Sequence, residues 1–163
     1  MHNRKILIIG EVYVDQHLDI IENGYSTSRL GGIFHAARSC DALNIEYALA
    51  YYAPDYLVKD VEKFGIDVLR ASSIFRLGKV DKAPNVMLIG QSDESGNQLY
   101  ENILGRQAEY VSMLPFMQVL DDFDPTDIII FPGRYGNAGI LSNLSNYCLL
   151  YTSPSPRDYA ASR

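Results

Sequence analysis

The chain has 163 residues, of which 47% are hydrophobic and 21% are charged, and its formal net charge is -6. This composition describes one globular domain, or most of one, with enough apolar material for a core. Because Lys and Arg are scattered without forming a patch, neither a nucleic-acid partner nor a membrane surface is expected. The two cysteines, Cys40 and Cys148, are far apart and lack metal-ligand spacing. They exclude a disulfide framework, predict no metal site and favour a cytoplasmic location.

A short apolar run lies near the start of the chain. Residues 5–14 are too few to span a bilayer, they include Glu11, and Asp15 follows them. The pattern predicts a strand that is buried on both faces at its start. A carboxylate just beyond such a strand lies at the carboxyl edge of a parallel sheet, where open α/β folds bind their ligands. Alternatively, Asp15 caps a turn or pairs with Arg29.

The rest of the chain alternates between helical and strand patterns. Residues 32–44 have apolar side chains at helical spacing, and Asn44 is suited to end that helix in a left-handed conformation. Further helices are predicted at 54–64, ending at Gly65, and at 112–120, and strands at 47–52, 66–69, 74–77, 85–91, 98–104 and 127–131. The polar residues 92–97 predict a hairpin turn. This order predicts an α/β fold with a doubly wound, mostly parallel sheet and one antiparallel excursion.

Two glycines stand at the entrance of the first predicted helix. Gly31 and Gly32 leave that entrance free of side chains, and Asp15 supplies an acceptor carboxylate nearby. Together they suit a small polyhydroxylated ligand that is held by its hydroxyl groups.

These features occur in an order typical of one enzyme family. The strand that ends at Gly10-Glu11, Asp15, the Gly31-Gly32 helix entrance, the hairpin around residues 93–96 and the strand 127–133 follow one another as in that family. In this order and spacing, residues 5–145 resemble the ribokinase-like, or PfkB-type, carbohydrate kinases. The resemblance implies a truncated ribokinase-like fold with a small β lid. It also implies phosphoryl transfer from ATP, with Mg²⁺, to a hydroxyl of a sugar or nucleoside.

The resemblance also implies site residues. Asp15 would accept hydrogen bonds from substrate hydroxyls, and Gly31 and Gly32 would let the substrate approach the backbone and the free amides of the first helical turn. If the glycine loop is one residue shorter than usual, His35 falls where the family has a sugar-binding asparagine; otherwise Ala36 does. Alternatively, His35 packs or faces solvent. The hairpin 85–104, with residues 17–21, would form the lid, through which a homodimer is expected.

The part of the family pattern that performs catalysis is absent from this sequence. The catalytic aspartate and anion hole belong to an Asp-Thr-x-Gly-Ala-Gly-Asp type segment, which this chain lacks. No catalytic residue is therefore assigned, and the chain alone is expected to be inactive. The alternative is a non-catalytic small-molecule-binding module of the same fold. A dinucleotide-binding oxidoreductase is disfavoured, because Gly133, Gly136 and Gly139 have the wrong spacing.

The composition changes after residue 147. Residues 148–163 resemble the translation of a transposase-type sequencing-library adapter. We therefore interpret residues 1–147 as the N-terminal, substrate-binding and lid part of a kinase domain and residues 148–163 as a non-native read-through tail. A native Ser/Pro-rich tail is the alternative. A parallel sheet cut at this point predicts that residues 128–131 are short of neighbours.

Overall fold

The computed structural model describes residues 4–18, 27–92, 98–103, 108–131, 144 and 148–151. In these ranges no helix combines the length and the apolar character needed to cross a membrane. The elements are β1 (Lys5–Glu11), β2 (Val14–His17), β3 (Thr27–Leu30), α1 (Phe34–Ala42), β4 (Glu46–Ala53), a 3-10 turn (Asp55–Leu57), α2 (Val58–Lys63), a π-helical turn (Phe64–Val68), β5 (Ser73–Asp81), β6 (Val86–Ser92), β7 (Gln98–Ile103), β8 (Glu109–Ser112), α3 (Phe116–Phe123), β9 (Asp127–Ile130) and β10 (Cys148–Tyr151).

The strands form two sheets. The main sheet has the order β10-β9-β1-β4-β5-β8, and the second sheet has the order β3-β2-β6-β7. Five neighbouring strands of the main sheet run parallel, and β8 is antiparallel to β5. In the second sheet β2 is parallel to β6, while β3 and β7 are antiparallel to their neighbours. The predicted α/β class, with a mostly parallel sheet and a small additional β-sheet, is confirmed.

Helices cover both faces of the main sheet because its strands are apolar on both sides. On one face Leu7 and Ile9 of β1 belong to the same buried cluster as Phe123 of α3. On the other face Ile8 belongs to a second cluster, with Phe34 of α1. Successive residues of a strand point to opposite faces, so one continuous apolar run supplies both clusters. This arrangement is the doubly wound architecture.

The second helical segment is longer than the sequence predicts. The predicted helix 54–64 continues through the π-helical turn Phe64–Val68, so the predicted strand at 66–69 is wrong. Gly65 does not end the helix. A Cβ atom at Gly65 would lie 2.5 Å from Cδ1 of Ile74, so the glycine allows the helix to pack closely against β5.

The predicted helix 112–120 is shifted along the chain. Ser112 is the last residue of β8, a strand that the sequence analysis missed, and α3 begins only at Phe116. Pro115 is the reason, because a proline disfavours helical dihedral angles in the residue before it. Asp124, with a φ of 50°, ends the helix in a left-handed conformation.

The expectation that residues 128–131 are short of neighbours is wrong. β9 pairs with β1 on one side and with β10 on the other. Ile128 and Ile130 are 0% and 1% exposed. β10 contains four of the residues interpreted as a non-native tail, so this stretch takes part in the sheet. Strand pairing requires only a suitable backbone geometry, so it does not show whether these residues are native. The interpretation of residues 148–163 as a non-native tail stays a prediction.

We expect Leu49→Ala to lower the free energy of unfolding by about 2–5 kcal/mol, because it removes a fully buried side chain and leaves a cavity. Leu43→Ala is the matched control, since Leu43 is 70% exposed, and its effect should stay within about 0.5 kcal/mol. Urea denaturation measures both variants. Equal losses would contradict the position of β4 at the centre of the core.

Alkaline pH should destabilise the fold through a buried phenol. Burial, followed by the charge of Glu62, raises the pKa of Tyr51 from 10.0 to about 12. Because the folded state then holds the proton more tightly, this contribution to stability is complete below pH 10 and is lost as the pH rises towards 12. Tyr51→Phe should reduce that loss. Urea denaturation between pH 7 and 11 tests this, and an unchanged pH dependence would show that Tyr51 does not contribute.

Candidate functional site

The site begins where the chain leaves the main sheet. The predicted strand 5–14 is two strands: β1 ends at Glu11, and β2 begins at Val14 in the second sheet. The N–H of Val12 donates to the carbonyl of Tyr52 at 3.0 Å, and the N–H of Val14 donates to the carbonyl of Asn85 at 2.8 Å. The chain therefore changes partners within three residues, from β4 to the segment before β6.

Asp15 lies inside β2 and not beyond the end of a strand as predicted. Its carboxylate is buried, with the side chain 1% exposed. Oδ2 is 2.9 Å from Nε2 of His35 and 4.0 Å from Nε of Arg29. Oδ1 is buried and, within the described ranges, has no hydrogen-bond partner. Since burial of an unsatisfied carboxylate oxygen is costly, this atom has unused capacity to accept a hydrogen bond.

Gly31 and Gly32 make room for protein groups. A Cβ atom at Gly31 would lie 2.3 Å from the carboxylate atoms of Asp15, and one at Gly32 would lie 2.1 Å from the carbonyl oxygen of Glu11. Gly32 also has a φ of 62°, which favours glycine. The two glycines therefore allow the chain to close around Asp15. Approach of a substrate to their backbone stays a prediction.

The amides at the entrance of α1 are largely occupied, contrary to the expectation that they are free. Gly31 N–H donates to Tyr13 O at 2.8 Å, and Ile33 N–H donates to Glu11 O at 3.1 Å. His35 N–H donates to Gly32 O at 3.1 Å. The first two bonds hold the loop between β3 and α1 against the segment in which the chain passes from β1 to β2, and the third closes the start of α1.

His35, and not Ala36, reaches Asp15. The imidazole lies in the first turn of α1 and is 36% exposed, while its Nε2 contacts the buried carboxylate. A neutral ring that carries its proton on Nε2 donates to Asp15 and keeps Nδ1 as an acceptor. The four residues predicted at the site, Asp15, Gly31, Gly32 and His35, therefore lie together. Their role in binding a substrate stays a prediction.

Comparisons by sequence find nothing: no family model and no curated protein matches the chain. Comparisons by structure find small-molecule kinases. The 2-dehydro-3-deoxygluconokinase of Thermotoga maritima matches with a TM-score of 0.60 and 11% identity, over 94% of this chain and 52% of that one. A pyrophosphate-dependent kinase in the ribokinase family, complexed with a pyrophosphate analogue and myo-inositol, matches with a TM-score of 0.56 and 15% identity, over 90% of this chain and 48% of that one.

The nucleoside kinase of Methanocaldococcus jannaschii, described as an archaeal member of the ribokinase family, matches with a TM-score of 0.52 and 12% identity, over 91% of this chain and 52% of that one. The chain has the ribokinase-like fold. Identities this low establish the fold and leave the activity open. The chain spans about half the length of these solved structures.

The chain has a second polar cluster, around Glu11, which the sequence analysis did not predict. The side chain of Glu11 is buried, and hydrogen-bond donors on three described residues point to it. Tyr110 donates to Oε1 at 2.7 Å, while Tyr13, at 2.8 Å, and Asn85, at 3.3 Å, donate to Oε2. Both oxygens accept, as expected of an ionised carboxylate. The cluster joins β1 to Asn85, just before β6, and to β8. It therefore holds the crossover, which is the segment 11–15 in which the chain passes from the main sheet to the second sheet.

Some predicted features lie outside the described residues. They include the turn residues 93–97, residues 19–21 of the predicted lid, and Gly133, Gly136 and Gly139. The described ranges also contain no group of three histidine, cysteine, aspartate or glutamate residues that could hold a metal ion.

We expect Glu11→Gln to lower the free energy of unfolding by about 1–3 kcal/mol, because the amide cannot accept all three hydrogen bonds and loses the charge that strengthens them. The control is Glu109→Gln at an exposed carboxylate that is paired with Lys82 at 2.5 Å, and it should change stability by less than about 0.5 kcal/mol. Urea denaturation at pH 7 compares them. Equal effects would mean that the buried cluster does not stabilise the fold.

Proposed function

We propose that the chain forms the acceptor-binding part of a kinase that transfers a phosphoryl group to a hydroxyl of a sugar, nucleoside or similar molecule. One observation carries the proposal. Asp15 presents a buried carboxylate with an unpartnered oxygen, four residues after the carboxyl end of the central strand β1. Ligands of open α/β folds bind at this edge of the sheet.

The chemistry of the site suits a hydroxyl. An ionised carboxylate only accepts hydrogen bonds, so its natural partner is an O–H or N–H donor, and charge-assisted bonds of this kind are strong. His35 holds Oδ2 at 2.9 Å, which leaves Oδ1 for the ligand. The pair would orient the acceptor molecule, which is the larger part of what phosphoryl transfer requires of a protein.

The second sheet would cover the bound molecule. Asp15 belongs to this sheet, through β2, and the hairpin of β6 and β7 pairs beside it. A cover over the acceptor would exclude water, which competes with the hydroxyl for the phosphoryl group. β3 and β7 are the outer strands of the second sheet, so they are the edges through which a homodimer would form.

Two phosphoryl donors fit the proposal, ATP and pyrophosphate. ATP with Mg²⁺ is the donor that the resemblance implies, whereas one structural neighbour is a pyrophosphate-dependent kinase. Among the described residues no group of three histidine, cysteine, aspartate or glutamate side chains could hold a metal ion. The groups that bind the donor and act as the catalytic base would belong to the remainder of a longer protein.

A non-catalytic binding module of the same fold is the second candidate. This candidate is favoured because Asp15 and His35 are suited to bind a hydroxyl group, whereas we assign no residue of the site a catalytic role. The binding step is common to both candidates, and only phosphoryl transfer separates them.

Asp15→Asn should weaken the affinity for the acceptor roughly 10- to 100-fold, because it removes a charge-assisted hydrogen bond. Isothermal titration calorimetry of the 163-residue chain measures it, with myo-inositol, adenosine, D-ribose, D-fructose and 2-dehydro-3-deoxygluconate as ligands. Asp41→Asn is the matched control, since Asp41 pairs with Arg70 at 3.2 Å and lies away from Asp15 in α1. Wild-type affinity in Asp15→Asn would refute the assignment of the site.

Phosphoryl transfer separates the two candidates. The 163-residue chain should bind an acceptor and form no phosphorylated product from ATP and Mg²⁺ or from pyrophosphate, as followed by ³¹P NMR. A longer form of the protein should form product. Binding without transfer in the longer form would favour the binding module, and turnover by the 163-residue chain would contradict its expected inactivity.

A further inference from the structure

Two side chains on one face of β2 have unused hydrogen-bonding atoms. Asp15 and His17 are two residues apart, so they share a face of the strand, with Cα atoms roughly 6.6 Å apart. Oδ1 of Asp15 and Nε2 of His17 are both buried, and neither has a hydrogen-bond partner among the residues that the structure describes. Gln16 lies between them and faces the opposite side, where Oγ of Ser28 donates to it. The outward side chain therefore has a hydrogen bond, while each of the two inward side chains keeps one buried atom without one.

This pattern points to a ligand. Native proteins leave few buried polar atoms without partners, because each one lowers stability. Two such atoms on one face of a four-residue strand form a local concentration of unmet hydrogen bonds. A bound molecule that donates to Asp15 and bonds to His17 would satisfy both at once.

The neighbouring strand supplies an apolar surface beside these polar atoms. Met87 of β6 pairs with Asp15, and Ile89 pairs with His17. Both side chains are buried, at 9% and 3% exposure. On the other side of β2, Arg29 pairs with Asp15 and Thr27 with His17. The face therefore has a polar strip on β2 next to an apolar strip on β6.

We propose that His17 is a substrate-contacting residue, and that Asp15 and His17 bind two hydroxyl groups on one edge of a neutral polyol or sugar ring. This inference rests on the proposed function and adds a residue and a substrate class to it. The apolar strip of Met87 and Ile89 faces the C–H surface of the same ring. A sugar or a cyclic polyol has this pairing of a hydroxyl edge with an apolar face.

The two polar atoms also limit which group can bind between them. Asp15 only accepts hydrogen bonds, whereas Nε2 of His17 donates or accepts according to the tautomer. A hydroxyl group can satisfy either role. A phosphate or carboxylate oxygen that carries a negative charge cannot donate a hydrogen bond to Asp15, although Arg29, 4.0 Å from that carboxylate, and Arg38 both offset its charge. The portion of the substrate that contacts Asp15 is therefore a hydroxyl group and not an anion.

Calorimetry on the 163-residue chain tests the role of His17, with myo-inositol, D-ribose, D-fructose and adenosine as the probes. His17→Ala should weaken the tightest of these interactions about 10-fold, the loss of one neutral hydrogen bond. Gln16→Ala is the matched control on the opposite face of the same strand, and it should leave the dissociation constant unchanged.

Monodeoxy analogues of the tightest probe identify the hydroxyl that His17 contacts. One analogue should bind the wild-type chain about 10-fold more weakly than the parent probe, yet bind His17→Ala as well as the parent does. A residue with a purely structural role would weaken the parent and every analogue by the same factor.

The stability of the ligand-free chain provides an independent readout. His17→Leu replaces an unsatisfied imidazole beside Ile89 with an apolar side chain, so its thermal midpoint should equal or exceed that of the wild type. A lower midpoint, together with equal losses for all analogues, would assign His17 a structural role and overturn the inference.

The binding results separate this inference from the proposed function. Wild-type affinity in His17→Ala, combined with lost affinity in Asp15→Asn, would overturn the role of His17 and leave the proposed function intact. If the wild-type chain binds none of the four probes, the inference of a neutral polyol or sugar fails; binding of 2-dehydro-3-deoxygluconate alone would then preserve the proposed function.

Discussion

The site depends on the hydrogen bonds that the buried carboxylate of Glu11 accepts. Glu11 is the last residue of β1, where the chain leaves the main sheet, and the chain enters the second sheet three residues later, at Val14. Its hydrogen bonds from Tyr13, Asn85 and Tyr110 attach that crossover to the segment before β6 and to β8. A buried charge is stable only with such partners. The hydrogen bonds that Glu11 accepts therefore hold in place the segment that carries Asp15.

The two carboxylates of the crossover are satisfied to different extents. Glu11 accepts from three protein donors, whereas Asp15 has His35 at 2.9 Å, Arg29 at 4.0 Å and one oxygen without a partner. A fully paired group stabilises a fold, and an incompletely paired one retains capacity for a ligand. This contrast is the physical reason to assign a structural role to Glu11 and to propose a binding role for Asp15.

Elements with strong periodicity were predictable, and short or composite ones were not. The apolar runs of β1, β4 and β9 and the hairpin of β6 and β7 were predicted because burial and turn chemistry are local signals. The strand predicted at 66–69 is helical, since four apolar-rich residues fit either period. β8 and β10, with four residues each, were missed because pairing with a neighbouring strand, and not their own pattern, makes them strands.

The sequence by itself determined the types of the longer elements, the α/β class and the grouping of Asp15, Gly31, Gly32 and His35, which came from the order of motifs. Only the tertiary structure decided how these residues are used. It showed that the run 5–14 divides between two sheets, that His35 rather than Ala36 meets Asp15, and that the two glycines make room for Asp15 and Glu11. Glu11 meets Asn85 and Tyr110 across 74 and 99 positions of chain, and no local pattern encodes contacts of that range.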